Sequence, residues 1–179
     1  EVFIHRNIGN LINSSDFNIQ SVLSYAIENL KVKHVIVLGH TDCGAVKASL
    51  SGKYHGLIDH WLNPIRDIAE KDYETLQKTV LEKGEENLTT KLSELNIKEQ
   101  VLNLCKNPIV QKAWNKGTNL HVHGLLYDMK TGLLKDLEIF KRDWKKMKGM
   151  YTFEFTDKKK GKNLIKEENK DGKKDKQIA

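Results

Sequence analysis

The stretch "HVIVLGHTDCGAV", residues 34–46, joins a β-branched apolar run to a cluster of small residues and places a histidine and a cysteine three apart at the junction. A continuous run such as "HVIVLG" reads as a strand buried on both faces of a parallel sheet, since a half-exposed strand would alternate with polar residues. Residues 44–51 read as a helix, so His40 closes a strand and Cys43 opens a helix. Open α/β sheets bind ligands at this carboxyl edge of the strands.

Upstream, Val22, Leu23, Ala26, Ile27 and Leu30 recur at helical spacing, which predicts one buried stripe on a helix over 17–30 that Asp16 can cap. Residues 2–8 read as a further strand. Downstream, residues 58–70, 72–82 and 86–105 read as helices, with breaks near Pro64, Gly84 and Asn107-Pro108, followed by a helix over 108–115. The stretch "NLHVHGLLYDMKTGLLKDLEIF" predicts a strand over 120–127, a turn through 128–132 and a strand over 133–139. The expected fold is α/β: a mainly parallel central sheet flanked by helices, with a C-terminal hairpin and no internal repeat.

The 179 residues, 39% of them hydrophobic, suit one domain. No run approaches the roughly 18 apolar residues of a membrane span, and the start lacks the pattern of a secretory leader. Two cysteines, Cys43 and Cys105, are too few for a disulfide scaffold. A cytoplasmic protein is expected, with a mitochondrial or other organellar one left open. The net charge of +6 is concentrated at one end: residues 141–179 carry 14 Lys and Arg against 7 Asp and Glu, and the body before them carries 16 against 17. The reading is therefore a main domain over 1–140, an extension over 141–155, and a Lys-rich tail over 156–179 too poor in apolar groups to order itself. Such a tail can meet phosphate backbones. Its lack of interleaved aromatics and its interrupting acids argue against nucleic acid as a partner.

Three chemistries suit His40 and Cys43. A helix N-terminus presents free N–H groups and a positive dipole end, which favours thiolate, and thiolate with imidazole can ligate zinc. A cysteine nucleophile with histidine as base is the second, although no third group that would orient the imidazole is recognisable. The third is an ordinary turn with a hydrogen-bonded histidine and a small buried cysteine. The spacing alone leaves these open.

The wider wording decides between them. "EVFIHRNIGN", "GHTDCGAV", "WLNPIRDI" and "LHVHGLLYDMKTGLLKDL" resemble, in order and spacing, the β-class carbonic anhydrases, with a fungal flavour in the second and fourth, over about residues 1–140. The resemblance implies Zn2+ held by two cysteines and one histidine, with His40 and Cys43 matching the glycine-histidine-x-x-cysteine-glycine motif. It implies reversible hydration of carbon dioxide to bicarbonate and a proton, zinc lowering the pKa of bound water from about 15.7 to about 7. Phe3, Ile8, Tyr25 and Gly44 match substrate-pocket positions, though the first three would also suit any α/β core. Arg6 and Tyr127 match positions that in some members help bind bicarbonate at a regulatory site. The family is built from dimers, in which pocket residues such as Tyr25 come from the neighbouring subunit, so a homodimer or larger homo-oligomer is expected.

The departure is at the start. The family's other zinc cysteine lies in a cysteine-x-aspartate-x-arginine segment, with an aspartate-arginine dyad, upstream of the stretch matched by "EVFIHRN". The chain begins at Glu1, after that point. The expectation is a truncated enzyme, inactive as it stands, that lacks the third ligand, the dyad, and an inner strand between residues 2–8 and 34–39. Cys105 lies among Val101, Leu102 and Leu104 and reads as core. His121 and His123 alternate on one strand face with Leu125; they could chelate, and the pattern favours a hydrogen-bonded scaffold. His5, His34, His55 and His60 show no partner signal. Two rival functions remain: a dinucleotide-binding domain, for which "GHTDCGA" lacks the glycine spacing, and a noncatalytic paralogue or interaction protein with a basic, nucleic-acid-contacting tail.

Overall fold

Asp16 Oδ1 accepts the backbone N–H of Asn18 at 3.0 Å and caps the first helix, as its place before an apolar stripe predicts. The protein is described by a computed structural model over residues 1–139. Helix α1, Phe17–Ser24, runs into a π turn, Tyr25–Asn29. Strand β1 is His34–His40 and is followed by α2, Gly44–Leu50, α3, Ile58–Lys71, and α4, Tyr73–Lys83. Gly84, at φ 87°, ends α4, and the long helix α5, Leu88–Lys106, follows a short turn. Asn107 caps α6, Pro108–Asn115, by accepting from the Ile109 N–H at 2.9 Å, with proline in the first turn where no donor is needed. Strands β2, His121–Tyr127, and β3, Leu134–Asp136, complete the order.

The sheet runs β1-β2-β3, with β1 parallel to β2 and β2 antiparallel to β3. This is the expected parallel core with a C-terminal hairpin. The register pairs His34 with His121 and His40 with Tyr127. Val37, Val122 and Leu126 point into a core completed by Ile97, Val101 and Leu104 of α5 and by Ile19, Leu23 and Ile27. Two strand glycines let α5 approach. A Cβ on Gly39 would lie 2.7 Å from Ile97 Cδ1, and one on Gly124 would lie 3.0 Å from Ile97 Cγ2. A second cluster, of Leu11, Cys43, Val46, Leu62, Ile65, Ile68, Leu76 and Leu92, packs beside the end of β1. No helix among the described residues is long and apolar enough to cross a membrane.

Five expectations need correction. Residues 2–8 form no strand: Val2 and Ile4 are 84% and 69% exposed, and the segment enters a 3-10 turn at Ile8–Asn10. A strand needs a neighbour to take its backbone groups, and among the described residues no strand pairs with this segment or with the outer edge of β1. The outer face of β1 is not buried either, since Ile36 and Leu38 are about half exposed while Val37 is in the core. Pro64 lies inside α3 without ending it. Around it the Arg66 guanidinium donates to the Asp59 carbonyl at 2.9 Å and to Asn63 Oδ1 at 3.2 Å, which ties the turn together. Finally, Leu30 leaves the predicted stripe, because the π turn holds an extra residue and shifts the helical phase. Strand β3 is also shorter than the predicted 133–139. The extension and Lys-rich tail fall outside the described residues.

Candidate metal centre

Parallel pairing brings β1 to an end at His40, and the chain turns through Thr41 and Asp42 before α2 begins. His40 Nδ1 lies 2.8 Å from the Thr41 carbonyl oxygen. A carbonyl can only accept, so Nδ1 carries the proton and Nε2 keeps the lone pair that a metal needs. Thr41 fastens the turn to the β2–β3 connection. Its N–H donates to the Tyr127 carbonyl at 2.9 Å, and its Oγ1 accepts from the Met129 N–H at 3.0 Å. Asp42 adopts φ 62°, a left-handed conformation that Asp tolerates better than most residues. Its carboxylate pairs with Lys47, and that hydrogen bond, followed by the charge of Lys47, holds it below the ordinary carboxylate value. It is thus paired with Lys47, while the His40 ring is oriented by the Thr41 carbonyl.

Cys43 is the extended residue before α2, and its carbonyl accepts the Lys47 N–H at 3.0 Å. Its thiol makes no cap to the helix and lies buried in the second apolar cluster. A Cβ built on Gly44 would meet nothing within 4 Å, so the first residue of α2 faces open space. An imidazole with a free Nε2 and a thiol at a helix start fit two corners of a tetrahedral zinc site. Among the described residues no third His, Cys, Asp or Glu joins a set able to hold a metal. Cys105 is fully buried in the α5 core, as expected.

The other candidates fall into two groups. Phe3 and Tyr25 meet, with ring centroids 5.8 Å apart and planes tilted by 50°. The π turn presenting Tyr25 is anchored by Glu28, whose carboxylate takes Lys112 Nζ at 2.8 Å and Ser24 Oγ at 2.9 Å. Lys112 first, then Ser24, hold Glu28 below its ordinary value. Ile8 exposes its side chain while its carbonyl accepts Trp61 Nε1 at 2.8 Å. Sequence reading missed the groups that fix this loop. Asn7 clasps Leu11 through two bonds of 2.8 and 2.9 Å, and buried Asn96 donates to the Gly9 carbonyl at 2.9 Å and accepts from Gln100. A signal was available: Asn96 and Gln100 stand four apart on a mainly apolar helix face, where buried amides need partners.

A family model described as carbonic anhydrase matches residues 1–134. The carbonic anhydrase of Candida albicans is 42% identical over 140 residues, which are 78% of this chain and 49% of that protein. The chain thus spans about half the length of this curated relative. Among solved structures, the Coccomyxa β-carbonic anhydrase in complex with acetazolamide superposes with a TM-score of 0.74 at 38% identity, over 82% of this chain and 65% of that one. A structure reported for two tetrameric β-carbonic anhydrases from Sordaria macrospora gives 0.73 at 32% identity, over 79% and 70%. The match over most of the described residues, in sequence and in fold, shows that the chain belongs to the β class of the carbonic anhydrase family.

Proposed function

We propose that the protein catalyses the reversible, zinc-dependent hydration of carbon dioxide to bicarbonate and a proton, with His40 and Cys43 as two of three protein ligands. The observation that carries this reading is the turn itself: within a family-matched segment, the one ring nitrogen of His40 left with a lone pair and the Cys43 thiol flank the start of a helix. Zinc held there would supply Lewis acidity that brings the pKa of a bound water near neutrality. The chain's own residues do the rest. The Thr41 carbonyl fixes the His40 tautomer, the hairpin contacts hold the turn, and the apolar surface of Phe3, Ile8 and Tyr25, with the open space at Gly44, receives a small apolar substrate.

The third ligand, a cysteine, and an aspartate-arginine dyad would come from sequence outside these 179 residues. The polypeptide limited to Glu1–Ala179 should therefore hydrate carbon dioxide feebly even with added zinc, and stopped-flow turnover equal to that of a complete family member would overturn the ligand assignment. In a chain carrying an upstream cysteine-x-aspartate-x-arginine segment, His40→Ala and Cys43→Ser should each lose zinc and activity together, while Cys105→Ser keeps both. A folded but zinc-free Cys105→Ser protein would show that the ligands lie elsewhere. If the upstream sequence has no such segment, the noncatalytic reading replaces this one. The tetrameric relatives support a homo-oligomer of two or more subunits; light scattering that gives an active monomer would refute it.

A further inference from the structure

The register that sets His40 at one end of β1 sets a different group of imidazoles at the other. His34 lies opposite His121, and His123, two residues on, shares their face of the sheet. His34 Nδ1 and His123 Nε2 are 3.0 Å apart. The His34 and His121 rings stack with centroids 5.0 Å apart and 20° between planes, and His121 Nε2 is 3.0 Å from Asn119 Oδ1. The six residues from His34 to His40 put this group roughly 20 Å from the turn described above, at about 3.3 Å per residue.

Two imidazole nitrogens at 3.0 Å share one proton, one ring donating and the other accepting. Metal–imidazole bonds of about 2.1 Å meeting at a right angle also place two nitrogens about 3.0 Å apart. A dication can therefore replace the shared proton after rotation of the rings. We propose that His34 and His123 form a second, solvent-facing site for a divalent transition-metal ion of the nickel, copper and zinc class, bound by two imidazoles and water. His121, stacked on His34, and Asn119 beyond it steady the ring. Among the described residues no third side chain completes a ligand set, so water fills the remaining positions. Partial burial, and then the neighbouring His34, hold His123 below the ordinary imidazole value, which keeps its lone pair available at neutral pH. Asp136 of β3 adds a negative charge nearby that favours a cation.

The test is addition of Ni2+ alone to the full chain at about pH 7.5, followed in a nitrogen-15 amide spectrum, because paramagnetic Ni2+ broadens the signals nearest to it. Signals of residues 34–36 and 121–124 should broaden as one equivalent binds. Calorimetry should show binding at least about tenfold weaker in His34→Gln and in His123→Gln, and weaker binding to the parent in acid, because a metal needs the ring lone pairs that protons also take. Broadening confined to the residues around His40 and Cys43, or both variants binding Ni2+ as the parent does, would overturn the site. The readout uses neither zinc at the turn nor catalysis, so it stands or falls apart from the proposed activity.

Discussion

Replacing Gly39 by alanine tests how the end of β1 is held. The new Cβ would sit 2.7 Å from Ile97 Cδ1 and 2.8 Å from Ile97 Cγ1, against roughly 3.5–4.0 Å for relaxed carbon contacts, so something must move by about 1 Å. Ile97 has little room to retreat, because it is fully buried in the core. Overpacking of this kind costs about 1–3 kcal/mol. Against it stands about 0.4–1 kcal/mol from restricting the unfolded chain, which leaves a net cost of Gly39→Ala centred on about 1.3 kcal/mol and no higher than about 2.6 kcal/mol. The mechanism is separated from a generic strand effect by a double-mutant cycle with Ile97→Ala. That change alone should cost about 2–5 kcal/mol through the cavity it leaves, but Gly39→Ala added to it should be near neutral, because the clashing atoms are gone. Urea unfolding of the four proteins gives the coupling. Costs that add to within about 0.5 kcal/mol would refute the claim that Gly39 is there to admit Ile97.

Two further outcomes follow from the contacts. Asn96→Ala should cost about 1–3 kcal/mol, because it strips the buried Gly9 carbonyl of its donor; chemical denaturation measures it, and a cost below about 0.5 kcal/mol would show that water takes the amide's place. Glu28 is held below its ordinary 4.5, chiefly by Lys112, so its contribution is fully present above pH 4.5 and is lost as pH falls through the lower folded value. The pair is about two-fifths exposed, so Glu28→Gln should cost under about 1 kcal/mol at pH 7 and progressively less in acid. A cost that grows below pH 4.5 would refute the pairing.

What could be read from the sequence was local. The apolar run of β1, the cap at Asp16, the break at Asn107-Pro108 and the glycine that ends α4 each act within a few residues, and each stands where its chemistry puts it. What failed was set at a distance. Residues 2–8 have the composition of a strand, but a strand is a relation between two chains, and a single stretch does not reveal whether its neighbour is present. The same holds for His34, which shows no local partner and gains one in His123, 89 residues away, only through the register of β1 against β2. The π turn is likewise invisible to a 3.6-residue period, and it is this turn that moves Leu30 out of the stripe and sets Tyr25 against Phe3.

The candidate ligands show the same division. Histidine and cysteine three apart are plain in the sequence, yet what makes them usable is supplied from elsewhere in the chain. Thr41 is bonded to Tyr127 and Met129, so the loop between the ligands is held by the hairpin that β2 and β3 form. Gly39 sits against Ile97 of α5, so the position of His40 along β1 depends on a helix some 60 residues later. The His40 tautomer depends on the neighbouring Thr41 carbonyl, and the orientation of that carbonyl is fixed by the same contacts. A lesion in the hairpin should thus behave as a lesion at the turn, with His40 losing its fixed orientation while both ligating residues remain in the sequence. The family match likewise runs well beyond the motif, through β2 and as far as Leu134 at the start of β3.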